Sequence, residues 1–246
     1  MSYNVISAVY DQDSHIEVAE GFYLAIKPML GTLDGGLVLD LGCGTGLLTE
    51  RLASRDNCIL GVDLSSRMLQ IARARCRKFG SQVKFKRADL RKFNSIRPAS
   101  AAFACADVVN HFQSERQLAI FFQNIKNNLR LGGFFAFDAL NRWCFENYWL
   151  NRTYHFTNKA GDIVMECDWD EDREVGTAKM VIYERKTGGL YRRQCVVLRE
   201  RLYEVRLLER LLRRAGFSRV SFINWSPWSD QHEEESDDRT LWIAFQ

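Results

Sequence analysis

The residues whose types and spacing point to chemistry are three aspartates, Asp40, Asp63 and Asp89, each at the end of a short strand-like run. Asp40 opens the segment Asp40-Leu41-Gly42-Cys43-Gly44-Thr45-Gly46. Glycine at alternate positions lets the backbone pass close to a ligand and turn sharply into a following helix. A dinucleotide fingerprint needs a further glycine three positions after Gly44, and that position is Leu47; no phosphate-loop Gly-Lys-Ser/Thr is present either. Asp40 discriminates by sign, because an anion beside a tight loop repels phosphates and suits a ligand that carries an ammonium and a sulfonium. Asp63 lies 23 residues beyond Asp40, where an acidic side chain accepts hydrogen bonds from two ribose hydroxyls. Asp89, after the strand-like run over 83–87, is placed to receive an adenine amino group.

The elements that must hold these residues follow from periodicity. Apolar side chains at Ile16, Ala19, Phe22, Tyr23, Ile26 and Leu30 predict an amphipathic helix over 14–30, capped by Ser14. Leu37-Val38-Leu39 is apolar without alternation, as in a strand covered on both faces. A helix over 47–54, a strand over 58–63, a helix over 66–79 closed by Gly80 and a strand over 83–87 follow. A strand over 101–106, a helix over 117–130 ended by Leu131-Gly132-Gly133 and a strand over 134–137 complete the series. Strand and helix alternate throughout, which predicts a parallel sheet with helices on both faces and a ligand at the strands' carboxyl ends. After Asn141 the rhythm changes to alternating strands over 154–156, 163–169, 178–185 and 191–199, separated by hairpin signals. A helix over 202–215 and strands over 220–225 and 241–245 end the chain. The expected organisation is therefore one domain from 1–140 and 201–246, interrupted by an antiparallel β insertion over 141–200 that serves as an acceptor cap or a dimer element.

Four motifs occur in order: Val-Leu-Asp-Leu-Gly-Cys-Gly-Thr-Gly (38–46), Gly-Val-Asp-Leu-Ser-Ser-Arg-Met-Leu (61–69), Ala88-Asp89-Leu90 and Leu-Arg-Leu-Gly-Gly (129–133). In these the chain resembles the class I S-adenosylmethionine-dependent methyltransferases. The resemblance implies a Rossmann-like α/β fold with a seven-stranded sheet whose last strand is antiparallel, and S-adenosylmethionine as cofactor. By that likeness Gly42, Gly44 and Gly46 line the methionine moiety, Asp63 holds the ribose, Asp89 and Leu90 edge the adenine, and Ala106 and Asp107 flank the end of the fourth strand. Asp40, Cys43, Leu64 and Met68 belong to the same motifs and join the expected cofactor set. Relatives usually place Asp near the start of the fourth strand, where this chain has Ala101-Ala102.

Methyl transfer from a sulfonium is an in-line displacement, so the protein's tasks are alignment of the nucleophile and exclusion of water. His111, in Asp107-Val108-Val109-Asn110-His111-Phe112, is the candidate base, with the reading of a histidine that only bonds nearby backbone left open. Tyr3 and Tyr10-Asp11 resemble the early segment that closes over the acceptor in aminosugar N-methyltransferases; Tyr10 then orients an amine, or else packs on the sheet. Tyr3, Asn110 and Trp143 are the expected substrate contacts. Trp143, Phe145, Tyr148 and Trp149 line the acceptor pocket or form the seam between insertion and core. The expected activity is methylation of a small molecule, an amine first, with a peptide amine or a hydroxyl as alternatives.

Lys and Arg total 34 against 31 acidic residues, a net charge of +3 that argues for no polyanionic partner. The densest basic cluster, Arg73, Arg75, Arg77, Lys78, Lys84, Lys86 and Arg87, spreads over several faces. No loop for a flipped base follows strand four, so nucleic acid is not an expected partner. Apolar residues make up 46% and charged residues 26%, ordinary for a globular protein. Seven scattered cysteines without a Cys-x-x-Cys pair suggest neither disulfides nor a zinc site, and no metal is expected. The first fifteen residues lack a signal-peptide pattern, and no apolar run reaches the roughly 20 residues that span a bilayer. A cytoplasmic monomer or homodimer is the expectation. The acidic run His232 to Asp238 reads as a solvated hairpin loop.

Overall fold

A computed structural model describes residues 2–11, 13–33, 35–53, 57–227 and 237–246. The α/β part supplies strands β1 (Leu37–Leu41), β2 (Cys58–Asp63), β3 (Val83–Arg87), β4 (Ala99–Ala104) and β5 (Leu129–Leu140). The insertion supplies β6 (Arg152–Asn158), β7 (Gly161–Asp170), β8 (Val175–Arg185) and β9 (Tyr191–Arg201), and β10 (Arg219–Trp225) and β11 (Arg239–Phe245) follow it. The main sheet runs β10-β11-β5-β4-β1-β2-β3 and the insertion forms a separate sheet β6-β7-β8-β9. β1 to β5 pair in parallel, whereas β11 runs antiparallel to both β5 and β10.

Helices α1 (Ser2–Ile6), α2 (Asp13–Ile26), α3 (Leu47–Leu52), α4 (Ser66–Arg75), α5 (Glu115–Asn128), α6 (Arg142–Cys144) and α7 (Val205–Arg214) connect or flank the strands. β5 shows why the central strands carry unbroken apolar runs: Phe135 and Phe137 pack with Phe121, Phe122 and Trp242 on one face, and Phe134 and Ala136 pack with Phe22, Val38 and Phe103 on the other.

Several boundaries differ from the sequence expectations. β4 begins at Ala99 and stops at Ala104, so Ala106 lies outside it, with Asp107 in left-handed backbone. β5 begins at Leu129, not Phe134, because the pairing jumps from Ala99↔Leu129 to Ala101↔Phe134 and the intervening residues bulge. The helix expected over 66–79 ends at Arg75 and tightens into a 3-10 turn over Arg77–Gln82. α7 starts three residues late because Leu202 and Tyr203 are buried in extended form, Tyr203 donating its hydroxyl to the Phe112 carbonyl. Of the acidic run, residues 232–236 lie outside the described residues. Asp238 corrects the solvated reading, being buried beside Arg239.

Candidate active site

The strand-to-helix turn after β1 is built on glycine. Gly42, Gly44 and Gly46 all have positive φ (72°, 51° and 85°), a region costly for side chains with a Cβ. Gly42 has a second constraint, since a Cβ there would lie 2.7 Å from the Val108 side chain. The amides of Gly42 and Cys43 both donate to the Val62 carbonyl, tying the loop to β2. Cys43 is buried against this junction. Asp63, at the end of β2, accepts from Gly44 N (3.0 Å) and Ser65 N (2.7 Å). A carboxylate offers about four lone-pair sites, so two remain for hydroxyl donors. Asp40 is buried, accepts the Thr49 hydroxyl, and is pushed up to about 7 by burial. A cationic ligand group beside Asp40 would favour its ionised form. The chemistry of this donor set fits S-adenosylmethionine.

The other members of the expected cofactor set have varied surroundings. Leu64 joins Asp63, Ser65, Tyr3 and His111 around a hollow of about 350 Å³. Met68 is buried with Ile6, Val9 and Ile163, where it joins the N-terminal segment to the insertion. Asp89 holds Arg91 through both carboxylate oxygens (2.6 Å at the shortest), and this partner keeps its carboxyl below the ordinary range. Leu90 packs against the core while its carbonyl accepts from Asn124.

Beyond β4 the chain turns through two consecutive left-handed residues, Ala106 and Asp107 (φ 65° and 53°). For alanine this is a strained backbone, of the kind that concentrates at functional sites. It is held by Asp138 of β5, which accepts from Asp107 N (3.2 Å) and from Arg239 (2.6 Å). Arg239 also donates to Asp107 (2.9 Å). Asp107 is thereby aimed at the space below the insertion. Asn110 is not brought there: it is fully buried, takes the Leu140 amide (3.0 Å) and donates to the Arg201 carbonyl (2.9 Å). Its amide is used in joining β5 to β9, which corrects the expected substrate contact.

His111 Nε2 lies 2.6 Å from Tyr3 Oη, 3.7 Å from Asp107 and 4.0 Å from Glu200. The ring also bonds to the Arg199 carbonyl. A ring that donates to a carbonyl through one nitrogen accepts at the other, which assigns the Tyr3 hydroxyl as donor to Nε2. Burial lowers His111 and raises Tyr3, so the pair is neutral near pH 7. The Tyr10 ring packs on His15 with centroids 4.2 Å apart, tilted by 35°, and borders Gly44. Two clasps fasten this N-terminal segment: Asn4 accepts from Ser65 Oγ (2.6 Å), and Asp11 accepts from Thr45 Oγ1 (2.6 Å) and pairs with Arg75.

A cavity of about 570 Å³ lies between the strand ends and the insertion. Its polar end carries Tyr3, Tyr10, Asp107, Glu200, Asp238 and Arg239, and its roof carries Tyr154, Phe156, Ile163, Met165, Met180 and Leu198. Tyr3 lines both this cavity and the smaller hollow that holds Asp63. Trp143 is outside the lining; it packs edge-on to Tyr148, whereas Tyr148 and Trp149 do line the cavity. Sequence reasoning missed Glu200 and Arg239. Glu200 was within reach, since Val196, Leu198 and Glu200 share strand parity and two of them are apolar. Asp107, His111 and Glu200 also bring three potential metal-ligand atoms within 4.8 Å of one another.

Residues 38–133 match the family model described as a methyltransferase domain. A protein of Geobacillus sp. (strain WCH70) named as a methyltransferase is 22% identical over 99% of both chains. The ubiquinone biosynthesis O-methyltransferase of Nitrosomonas europaea is 29% identical over 48% of this chain, so the chain spans about half of that relative's length in the match (49%). Among solved structures, a S-adenosylmethionine-dependent methyltransferase from Clostridium acetobutylicum superposes with a TM-score of 0.80 at 22% identity, covering 99% of this chain and 98% of that one. An amino pentose methyltransferase from Micromonospora echinaspora, solved with its methyl donor bound, gives a TM-score of 0.69 at 17% identity over 93% and 91%. These structural likenesses are of fold.

Proposed function

We propose that the chain is a class I S-adenosylmethionine-dependent methyltransferase and that it methylates the nitrogen of a small-molecule amine bound under the β insertion. The observation that carries this reading is the Tyr3–His111 pair, with Tyr3 on the wall shared by the acceptor cavity and the hollow beside Asp63. The bound cofactor supplies an electrophilic methyl carbon on its sulfonium. Asp63 and the glycine loop hold the cofactor, and Asp40 favours its cationic end. An amine bound as an ammonium must lose a proton before it can attack. That proton has a path to Tyr3 Oη, whose own hydroxyl proton passes to His111 Nε2. Asp107, 3.7 Å from Nε2, stabilises the imidazolium so formed, and that new charge favours ionisation of Glu200, 4.0 Å away, whose carboxyl is otherwise pushed well above the ordinary range by burial and by Asp107. Tyr10 and the clasped N-terminal segment keep water from the shared wall. That the Micromonospora echinaspora protein of similar fold is an amino pentose methyltransferase supports an amine-bearing acceptor.

The test combines calorimetry with label transfer. S-adenosylmethionine should bind the wild type, and Asp63→Asn should weaken it about ten-fold or more, the scale of a lost charge-assisted hydrogen bond. Tritium from the labelled methyl group should enter small amines of a metabolite extract, and Tyr3→Phe should slow that transfer more than it weakens cofactor binding. Label appearing only in protein, or no cofactor binding by folded protein, would refute the reading.

A further inference from the structure

The acceptor cavity has two ends of opposite character. Glu200 is 6% exposed, and its Oε2 has no hydrogen-bond partner among the described residues. Asp238 Oδ1, in a residue 2% exposed at the same end, is likewise without one. Buried carboxylate oxygens left without donors are rare and costly, and here they line a cavity. Among the described residues the one guanidinium lining this end, Arg239, pairs with Asp107, Asp138 and Asp238. Among the described residues the polar end therefore holds two carboxyl oxygens in want of donors beside a guanidinium whose Nε also lacks a hydrogen bond, and because burial and the neighbouring Asp107 push the Glu200 carboxyl well above the ordinary range, a cation seated there would draw out its ionised form.

The roof is different. Strand register sets Tyr154, Met165, Met180 and Val196 in one cross-strand row, and Phe156 and Ile163 in the next. Parity puts these side chains on the same face of the sheet, and all but Val196 line the cavity. Opposite Glu200 in the register stands Gly176, where a Cβ would lie 2.6 Å from the Trp149 ring. The absent side chain lets an aromatic wall reach the edge of the charged end. Two methionines among rigid rings make a surface that accommodates apolar bodies of varied outline.

We infer that the acceptor is an amphipathic cation, an ammonium head seated on Glu200 and Asp107 with an apolar or aromatic body under the roof. This rests on the methyltransferase reading for the meaning of "acceptor", and it goes further in assigning Glu200 as the residue that selects charge and the Met165–Met180 wall as the surface that selects the body. Anionic acceptors are disfavoured beside this cluster of acidic groups, and small hydrophilic amines leave the roof unfilled.

The experiment uses three probes of one shape, 2-phenylethylamine, 2-phenylethanol and 3-phenylpropanoate, titrated calorimetrically into the full-length protein with and without S-adenosylhomocysteine. The amine should bind at least about ten-fold more tightly than the alcohol, and the carboxylate most weakly. Glu200→Gln should remove that preference while leaving the alcohol's affinity in place, and Met165→Ser should weaken amine and alcohol alike. Methylamine should bind far more weakly than 2-phenylethylamine. Equal affinity for the three probes, or a preference that survives in Glu200→Gln, overturns the inference. So does tight Mn²⁺ binding that Glu200→Gln abolishes, which would give these carboxylates to a metal ion. Failure of S-adenosylhomocysteine to bind, with the amine preference intact, refutes the methyltransferase reading and not the chemistry of the site.

Discussion

At the scale of single residues, the acidic groups differ most in what surrounds them. Asp40 was legible from the sequence as the acid that closes the first strand, but its burial was not. That burial holds it near 7, against an ordinary value of 3.8. Between those values the unfolded chain ionises while the folded chain keeps its proton. Stability of the cofactor-free protein should therefore fall as pH rises from about 4 to about 7, by at most roughly 1.4 kcal/mol per pH unit from this group, and level off above. Asp40→Asn should flatten that part of the profile in thermal melts recorded from pH 4 to 8; an unchanged slope would show that Asp40 does not titrate there. A cationic ligand prefers the ionised carboxylate, so cofactor affinity should rise through the same window. Glu200, Asp107 and Tyr3 meet around His111 from three separate segments, and neither the pairing of the two acids nor the Tyr3–His111 bond has any trace in local spacing.

At the scale of elements, parity and turn chemistry carried most of the reading. The four strands of the insertion extend the expected cores by one to three residues at each shifted end, because backbone pairing continues past the point where apolar alternation stops. The β5 bulge was not legible, since a jump in register is decided by the neighbouring strand. Gly176 gives no signal as a turn, being inside β8, and its reason is room: a Cβ would meet Trp149 at 2.6 Å and Phe145 at 2.7 Å. Gly176→Ala should cost about 1–3 kcal/mol by overpacking and lower acceptor affinity through movement of Trp149. Differential scanning calorimetry together with probe titration reads both; an unchanged melting temperature would show that the wall is loosely packed.

At the scale of the whole molecule, the site exists because two sheets are fixed to each other. Asn110 is one fastening, bonded to Leu140 at the end of β5 and to Arg201 at the end of β9. Asn110→Ala leaves those buried backbone groups unpaired, which should cost about 1–3 kcal/mol and weaken binding in the acceptor cavity more than at the cofactor loop. Denaturant unfolding and parallel titrations of S-adenosylhomocysteine and 2-phenylethylamine separate the two effects, and equal loss at both sites would argue against a fastening confined to the roof. The sequence by itself determined the alternation of strands and helices, the glycine loop and the acids near the ends of β1 and β2, because these depend on backbone reach and on side-chain period within a few residues. Only the tertiary structure decided what the loop works beside. Tyr3, Asp107, His111, Glu200 and Arg239 are separated by up to 236 residues and meet through sheet order and the docking of the insertion. The charge of a buried carboxylate depends on which groups the fold brings within a few ångströms of it, and no local pattern records that.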